Sequence, residues 1–170
     1  MEYKIRSAIV SDVEDVQRLR KEGWQDNYVN EETGVTKELL VNKLAKLPAS
    51  QEDKNYFINT LSKPENKDKN LVAASDGGVI GVALYETLEN GDGYIGVFID
   101  RGYRGQGIGT DLLKELIKRT TNNLMVEIFS KNPSRKLYKN LGFVEDGPIG
   151  KCYFDKNIYL PTQKLILHRK

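Results

Sequence analysis

The sequence predicts one domain, residues 1–170, of mixed α and β structure: a single mixed sheet with helices on both faces. Two observations carry that expectation. Strand-like segments open the chain, fill its middle and close it, and segments with a helical period fall between them. The chain has 170 residues, 39% of them hydrophobic, which most simply builds one compact core. A sheet covered on both faces buries the apolar side of every such element.

Taken in order, Tyr3 and Ile5 alternate with Lys4 and Arg6, the pattern of a half-buried strand over 3–8. A helix follows. Ser11 and Glu14 have capping-box spacing, Val13, Val16 and Leu19 mark its apolar face, and Gly23 is expected to end it. A polar connection over 24–34 embeds Trp24 and Tyr28. Thr36 is expected to cap a second helix bearing Leu39, Leu40, Leu44 and Leu47, which Pro48 stops. Residues 50–61 read as a weakly amphipathic third helix, although 55–64 reads equally well as irregular. The lysines of 63–69, broken by Pro64, Glu65, Asn66 and Asp68, read as a solvated loop.

From Leu71 the texture becomes that of strands, at 71–74 and 79–88, joined by Ser75-Asp76-Gly77-Gly78, a hairpin signal. A turn over 89–93 leads to an apolar strand at 94–99. Ile108, Leu112, Leu113, Leu116 and Ile117 then show helical spacing, and 124–129 is the next strand. Asn132-Pro133 is expected to start a helix that Gly142 terminates, with Leu137 and Leu141 inward. Strands near 143–145 and 163–168 close the chain.

Composition narrows the function. A net charge of +2 argues against nucleic acid as partner. The first ten residues carry Glu2, Lys4 and Arg6 without a leader-like apolar run, and nothing approaches the roughly 20 apolar residues of a membrane span. A cytoplasmic location is the expectation. Cys152 and His168 stand alone as residue types, so neither a thiol or imidazole metal site nor a Cys–His nucleophile is expected.

The richest chemistry lies in the Asp-Arg-Gly-Tyr-Arg-Gly-Gln-Gly-Ile-Gly-Thr run of 100–110, between an apolar strand and an amphipathic helix. Gly105, Gly107 and Gly109 let backbone approach a ligand, and the helix start offers N–H groups and a positive dipole end, favouring an anion. Arg104 adds a guanidinium suited to phosphate. A P-loop would require Gly-Lys-Ser/Thr, and Gly109 is followed directly by Thr110. A dinucleotide site would require G-x-G-x-x-G, whereas the spacing here is G-x-G-x-G. A tight turn without ligand needs fewer glycines than this.

Arg104-Gly105-Gln106-Gly107-Ile108-Gly109 resembles the R/Q-x-x-G-x-G/A signature of the GNAT acetyltransferases, with Ile99 at that family's branched aliphatic position. The stretch from Asn132 through Tyr138 to Leu141-Gly142-Phe143 resembles its second signature. Trp24 and Tyr28 resemble the Trp-x-x-x-Tyr of a branch of small bacterial and archaeal members. The likeness follows element order along the whole chain. It is strong over 94–143 and weak over 51–70, whose role it leaves open.

The resemblance implies a twisted, largely antiparallel sheet of six or seven strands, split in a V between the parallel strands 94–99 and 124–129. It implies acetyl-CoA as co-substrate and no metal. Pantetheine would add to backbone groups of Val97, Phe98 and Ile99, and pyrophosphate would sit on amides from Gln106 to Thr110. Tyr138 is the expected proton donor to the departing thiolate. Glu127 is the expected base, with Glu86 and Asp26 as rivals. Asn132 bonds a pantetheine amide or only caps a helix, and Arg135 meets the 3′-phosphate or only solvent. Trp24, Tyr28 and Glu86 would line the acceptor site, where Asp26, Glu31 and Glu32 add negative charge. The expected acceptor is a small cationic amine, a polyamine or a peptide N-terminus, and the protein a monomer or homodimer. The alternative is a non-catalytic acyl-CoA sensor of the same fold.

Overall fold

The computed structural model describes residues 2–44 and 51–169. Among the described residues eight strands form one sheet: β1 (Lys4–Ser7), β2 (Leu71–Ser75), β3 (Gly78–Thr87), β4 (Gly93–Ile99), β5 (Leu124–Phe129), β6 (Val144–Glu145), β7 (Gly150–Asp155) and β8 (Ile158–Leu167). Their order is β1-β2-β3-β4-β5-β8-β6, with β7 pairing the first half of β8. Every pairing is antiparallel except β4 with β5. The expected fold class is therefore the one found. The six or seven expected strands become eight because 150–155 also pairs, although almost all of that edge strand is exposed and carries no apolar alternation.

The helices are α1 (Val13–Asn27), α2 (Lys37–Leu44), α3 (Gln51–Ser62), α4 (Ile108–Arg119) and α5 (Arg135–Asn140). One face of the sheet packs against α4 and α5 through Ile80, Ile95, Leu112, Leu116, Val126 and Tyr138. Helices α1 and α3 cover the other through Val16, Leu19 and Phe57 against Val72 and Val82. A third cluster joins α2 to the far strands through Leu40, Phe129 and Leu160. Helix α4 reads clearly in the sequence because one stripe is fully apolar, and Lys118 and Arg119 in its last turn complement its dipole.

Three helix boundaries depart from expectation. Helix α1 begins after a 3-10 turn over Val10–Asp12, and Asp12, not Ser11, closes that turn by accepting the Ile9 N–H at 2.9 Å and the Arg6 guanidinium at 2.7 Å. Glu14 instead pairs with Lys54 on α3. Helix α1 also runs through Gly23 to Asn27. A Cβ at Gly23 would lie 2.6 Å from the Phe98 ring, so this glycine marks a close approach of helix to sheet and not a helix end. Helix α5 starts at Arg135, two residues beyond Pro133. Asn132 Oδ1 nevertheless takes the Ser134 N–H at 2.9 Å, and Gly142 turns the chain at φ +92°. Thr36 caps α2 as expected, through the Leu39 N–H at 3.1 Å. Leu47 and Pro48 lie outside the described residues.

Candidate active site

Strands β4 and β5 pair only at Gly93–Leu124 and Tyr94–Met125, then diverge. Main-chain groups of alternate residues on β4 point to opposite neighbours. The Gly93 N–H reaches Asn123 O beside β5, and the Asp100 N–H reaches Ile80 O on β3. Val97 and Ile99 therefore turn their main-chain groups into the opening. Those of Phe98 face β3, so this residue offers the opening its ring and not its amide.

An opened sheet exposes unpaired N–H and C=O groups, which need partners. Two phenols border the opening, Tyr138 arriving from α5 and Tyr94 from β4 itself. Burial pushes the Tyr138 phenol well above its ordinary range, while the Val97 N–H pulls the other way. Burial likewise raises Tyr28 to about 12, with the nearby Tyr94 adding to the shift and the Asn132 side chain opposing it.

The opening leads directly to the start of α4. Gly107 precedes the first turn at φ +87° and Gly105 lies at φ +77°, and a Cβ built on either would meet no atom within 4 Å. The first helical bond runs from the Asp111 N–H to Gly107 O, which leaves the amides of Ile108, Gly109 and Thr110 outside the ladder. This is an open anion cradle. Arg104 lies beside it but turns inward: Nε donates to Ile99 O at 3.1 Å and Nη1 pairs with Asp26 at 2.7 Å. Its Nη2 is buried without a protein partner.

A cavity of about 920 Å³ unites the cradle and the opening with a deep pocket on the α1–α3 face. Trp24 and Tyr28 stack there, ring centroids 4.2 Å apart, on the last turn of α1. Glu86 on β3 and Glu127 on β5 flank Tyr94 on the same face of the sheet. Glu86 accepts the Tyr56 hydroxyl of α3 at 2.7 Å, and Glu127 accepts that of Thr162 at 2.6 Å. Burial raises Tyr56 to about 12, and the Glu86 bond adds to the shift.

Most residues selected from sequence meet in this one cavity: Trp24, Tyr28, Glu86, Val97, Glu127 and Tyr138 among them. Others do not face it as expected. Gln106 turns its amide back to Gly102 O at 3.4 Å, leaving only main chain for a ligand. Arg135 pairs with Glu145 and faces a separate shallow hollow beside Lys131 and Lys139. Asn132 does line the cavity, with its Oδ1 taken by the Ser134 N–H at 2.9 Å. Asp26 sits between Arg101 at 2.7 Å and Arg104 at 2.7 Å, and these bonds, that from Arg101 foremost, hold its carboxyl below the usual range. A carboxylate so neutralised is a poor base and lends little negative charge to an acceptor. Glu32 pairs with Lys131 on the surface.

Sequence reasoning passed over Tyr94, Tyr56 and Arg20, all of which line the cavity. Tyr94 reads as one more strand aromatic. Only its place at the last rung before the split sets it apart, and register is not written in its own segment.

Residues 33–143 match the family model described as the acetyltransferase (GNAT) family. The YwnH protein of Bacillus subtilis (strain 168), provisionally named a phosphinothricin acetyltransferase, is 29% identical over an alignment of 110 residues that covers 59% of this chain and 66% of that one. The chain thus spans just under two thirds of that relative's length. Among solved structures, a GNAT superfamily phosphinothricin acetyltransferase from Sinorhizobium meliloti in complex with acetyl-CoA aligns with a TM-score of 0.74 at 22% identity, covering 99% of this chain and 89% of that one. The PaiA N-acetyltransferase from Thermoplasma acidophilum in complex with coenzyme A aligns at 0.71 and 16% identity, with both chains covered in full (100% each). At such identities these likenesses speak for the fold. No helix among the described residues is long and apolar enough to cross a membrane.

Proposed function

The chain belongs to the GNAT acetyltransferase family, and from that premise we propose that it transfers the acetyl group of acetyl-CoA directly to a small primary amine. The observation that carries this reading is the continuity of one cavity. The opened edge of β4, the buried Tyr138 phenol and the cradle before α4 line a single space with Glu86 and Glu127.

The residues fit the co-substrate. Val97 and Ile99 would hold the pantetheine arm as an added strand. The amides of Ile108, Gly109 and Thr110 would take the pyrophosphate, and the buried Arg104 Nη2, which has no protein partner, would gain a phosphate oxygen as acceptor. Bound there, acetyl-CoA supplies an activated thioester carbonyl at the split.

An amine with a pKa near 10.4 is almost wholly protonated at neutral pH, so the site must favour or create the neutral form. Glu127 is the base in this account, because it sits on the strand bordering the opening, and Thr162 orients it. Glu86, held by Tyr56 across the pocket, attracts the cationic acceptor. Tyr138 gives its proton to the departing sulfur. Aromatic side chains, among them Trp24, Tyr28, Tyr56 and Tyr94, narrow the acceptor side, which suits a small amine better than a large protein surface.

Incubation with acetyl-CoA and a panel of small amines, amino acids and N-terminal peptides tests the proposal. Free thiol and N-acetylated product should appear in equal amounts. Thermal stabilisation by acetyl-CoA without turnover across the panel would overturn it in favour of a sensor.

A further inference from the structure

An arginine side chain is long and loses much rotamer freedom when a ligand fixes it, so a guanidinium already held in place binds phosphate at less cost. Arg104 is held at two of its three nitrogens. Its Nε donates to Ile99 O, at the end of β4, at 3.1 Å, and its Nη1 meets Asp26 Oδ2 at 2.7 Å. The guanidinium is planar, so these two bonds fix the third nitrogen as well. That nitrogen, Nη2, is buried without a protein partner, on a side chain that lines the cavity beside the cradle.

Asp26 is itself held. Arg101 donates to it from Nε at 3.0 Å and from Nη2 at 2.7 Å, one bond to each carboxyl oxygen. Both oxygens are therefore used, and Oδ2 serves both arginines. The helix that carries Asp26 is tied to the same segment a second time. Two turns earlier on α1, Arg18 Nη1 pairs with Asp100 at 2.7 Å, and Asp100 Oδ1 accepts the Gly102 N–H at 3.0 Å. Arg18, Glu22 and Asp26 recur every four residues, so they share one helix face, and that face meets the segment from Asp100 to Arg104.

By charge alone a carboxylate so near an anion site is unfavourable. Orientation accounts for it: one carboxylate between two guanidiniums leaves the group net positive while it removes their freedom.

We propose that Asp26 is a positioning residue for the co-substrate, holding Arg104 so that its Nη2 meets the pyrophosphate of bound acetyl-CoA. The role rests on the acetyl-CoA reading above. Arg104 makes the contact with phosphate, and Asp26 acts through it.

Charge and orientation predict opposite signs for one variant. Asp26→Asn keeps the shape of the side chain but leaves one acceptor oxygen for two guanidiniums and turns an N–H donor toward them. Removing a negative charge should tighten coenzyme A if charge alone mattered. Loss of orientation should loosen it, and the expected result in calorimetric titration is a Kd about tenfold higher or more. S-acetylpantetheine should bind this variant and wild type alike, which also reports that the variant is folded with its opening intact. Arg104→Met should weaken coenzyme A at least as much, and adding Asp26→Asn to it should cost nothing more. Coenzyme A binding as tight as wild type, or tighter, in Asp26→Asn would overturn the positioning role. So would an equal loss for S-acetylpantetheine, or losses that add in the double variant. Wild-type protein that binds no coenzyme A would instead refute the acetyl-CoA reading, so the two failures are distinct.

Discussion

Replacing Gly107 by alanine separates the cradle's binding role from its structural one. The residue sits at φ +87° before α4, a conformation that costs an L-residue about 1–2 kcal/mol. An alanine Cβ there meets no protein atom within 4 Å, so no steric penalty adds to the backbone strain. For a chain of this length the melting temperature should fall by about 2–8 °C. The added methyl, however, projects into the space from which the amides of Ile108 to Thr110 would reach a phosphate. Losing one such charge-assisted bond costs about 1.5–3 kcal/mol, roughly a tenfold to hundredfold loss in coenzyme A affinity. Calorimetric titration with coenzyme A, beside a melting curve of the free protein, reads both quantities. S-acetylpantetheine, which lacks the pyrophosphate, should bind variant and wild type alike. A variant that melts lower yet binds coenzyme A as well as wild type would refute phosphate binding at this turn.

Four further outcomes follow from the same geometry. Tyr138→Phe should lower kcat by about 10²-fold or more with acetyl-CoA Kd near wild type, measured by thiol release and titration; full activity would remove the proton-donor role. Glu127→Gln should act chiefly on kcat and Glu86→Gln chiefly on acceptor KM, so steady-state kinetics of the pair assigns base and seat, and the reverse pattern exchanges the roles. Asp26 has a folded-state pKa below its unfolded value, so its contribution to stability is present above the unfolded pKa near 3.9 and lost as pH falls through the folded one; urea titrations from pH 6 to 3 should show a shallower acid loss in Asp26→Asn. Gly93→Ala should destabilise by about 1–3 kcal/mol, because its Cβ would lie 2.3 Å from the Tyr85 ring and 2.9 Å from Leu124; an unchanged midpoint in denaturant would contradict that packing.

The fold was legible wherever one segment carried its own signal. Helix α4 has a complete apolar stripe, the turn at Gly77-Gly78 has its glycines, and β2 to β5 are apolar runs with clear punctuation. Strand β7 escaped because an exposed edge strand needs no apolar alternation. Gly23 misled because a glycine chosen for contact with Phe98 reads, locally, like a glycine that ends a helix. The limits at the site are of the same kind. The sequence places Tyr138 and the cradle through local motifs, yet whether Arg104 faces a phosphate or Asp26 depends on a residue 78 positions away. Phe98 was assigned a main-chain role that strand parity denies it. Tyr94 and Tyr56 acquire meaning only once β4 parts from β5 and α3 lies over Glu86.

A crystal structure with coenzyme A bound is the most direct test of the central claim. The account predicts pantetheine running along the Val97 and Ile99 edge of β4, with pyrophosphate oxygens on the amides of Ile108, Gly109 and Thr110 and on Arg104. Coenzyme A found elsewhere, with β4 and β5 still parted around the Tyr138 and Tyr94 hydroxyls, would contradict it.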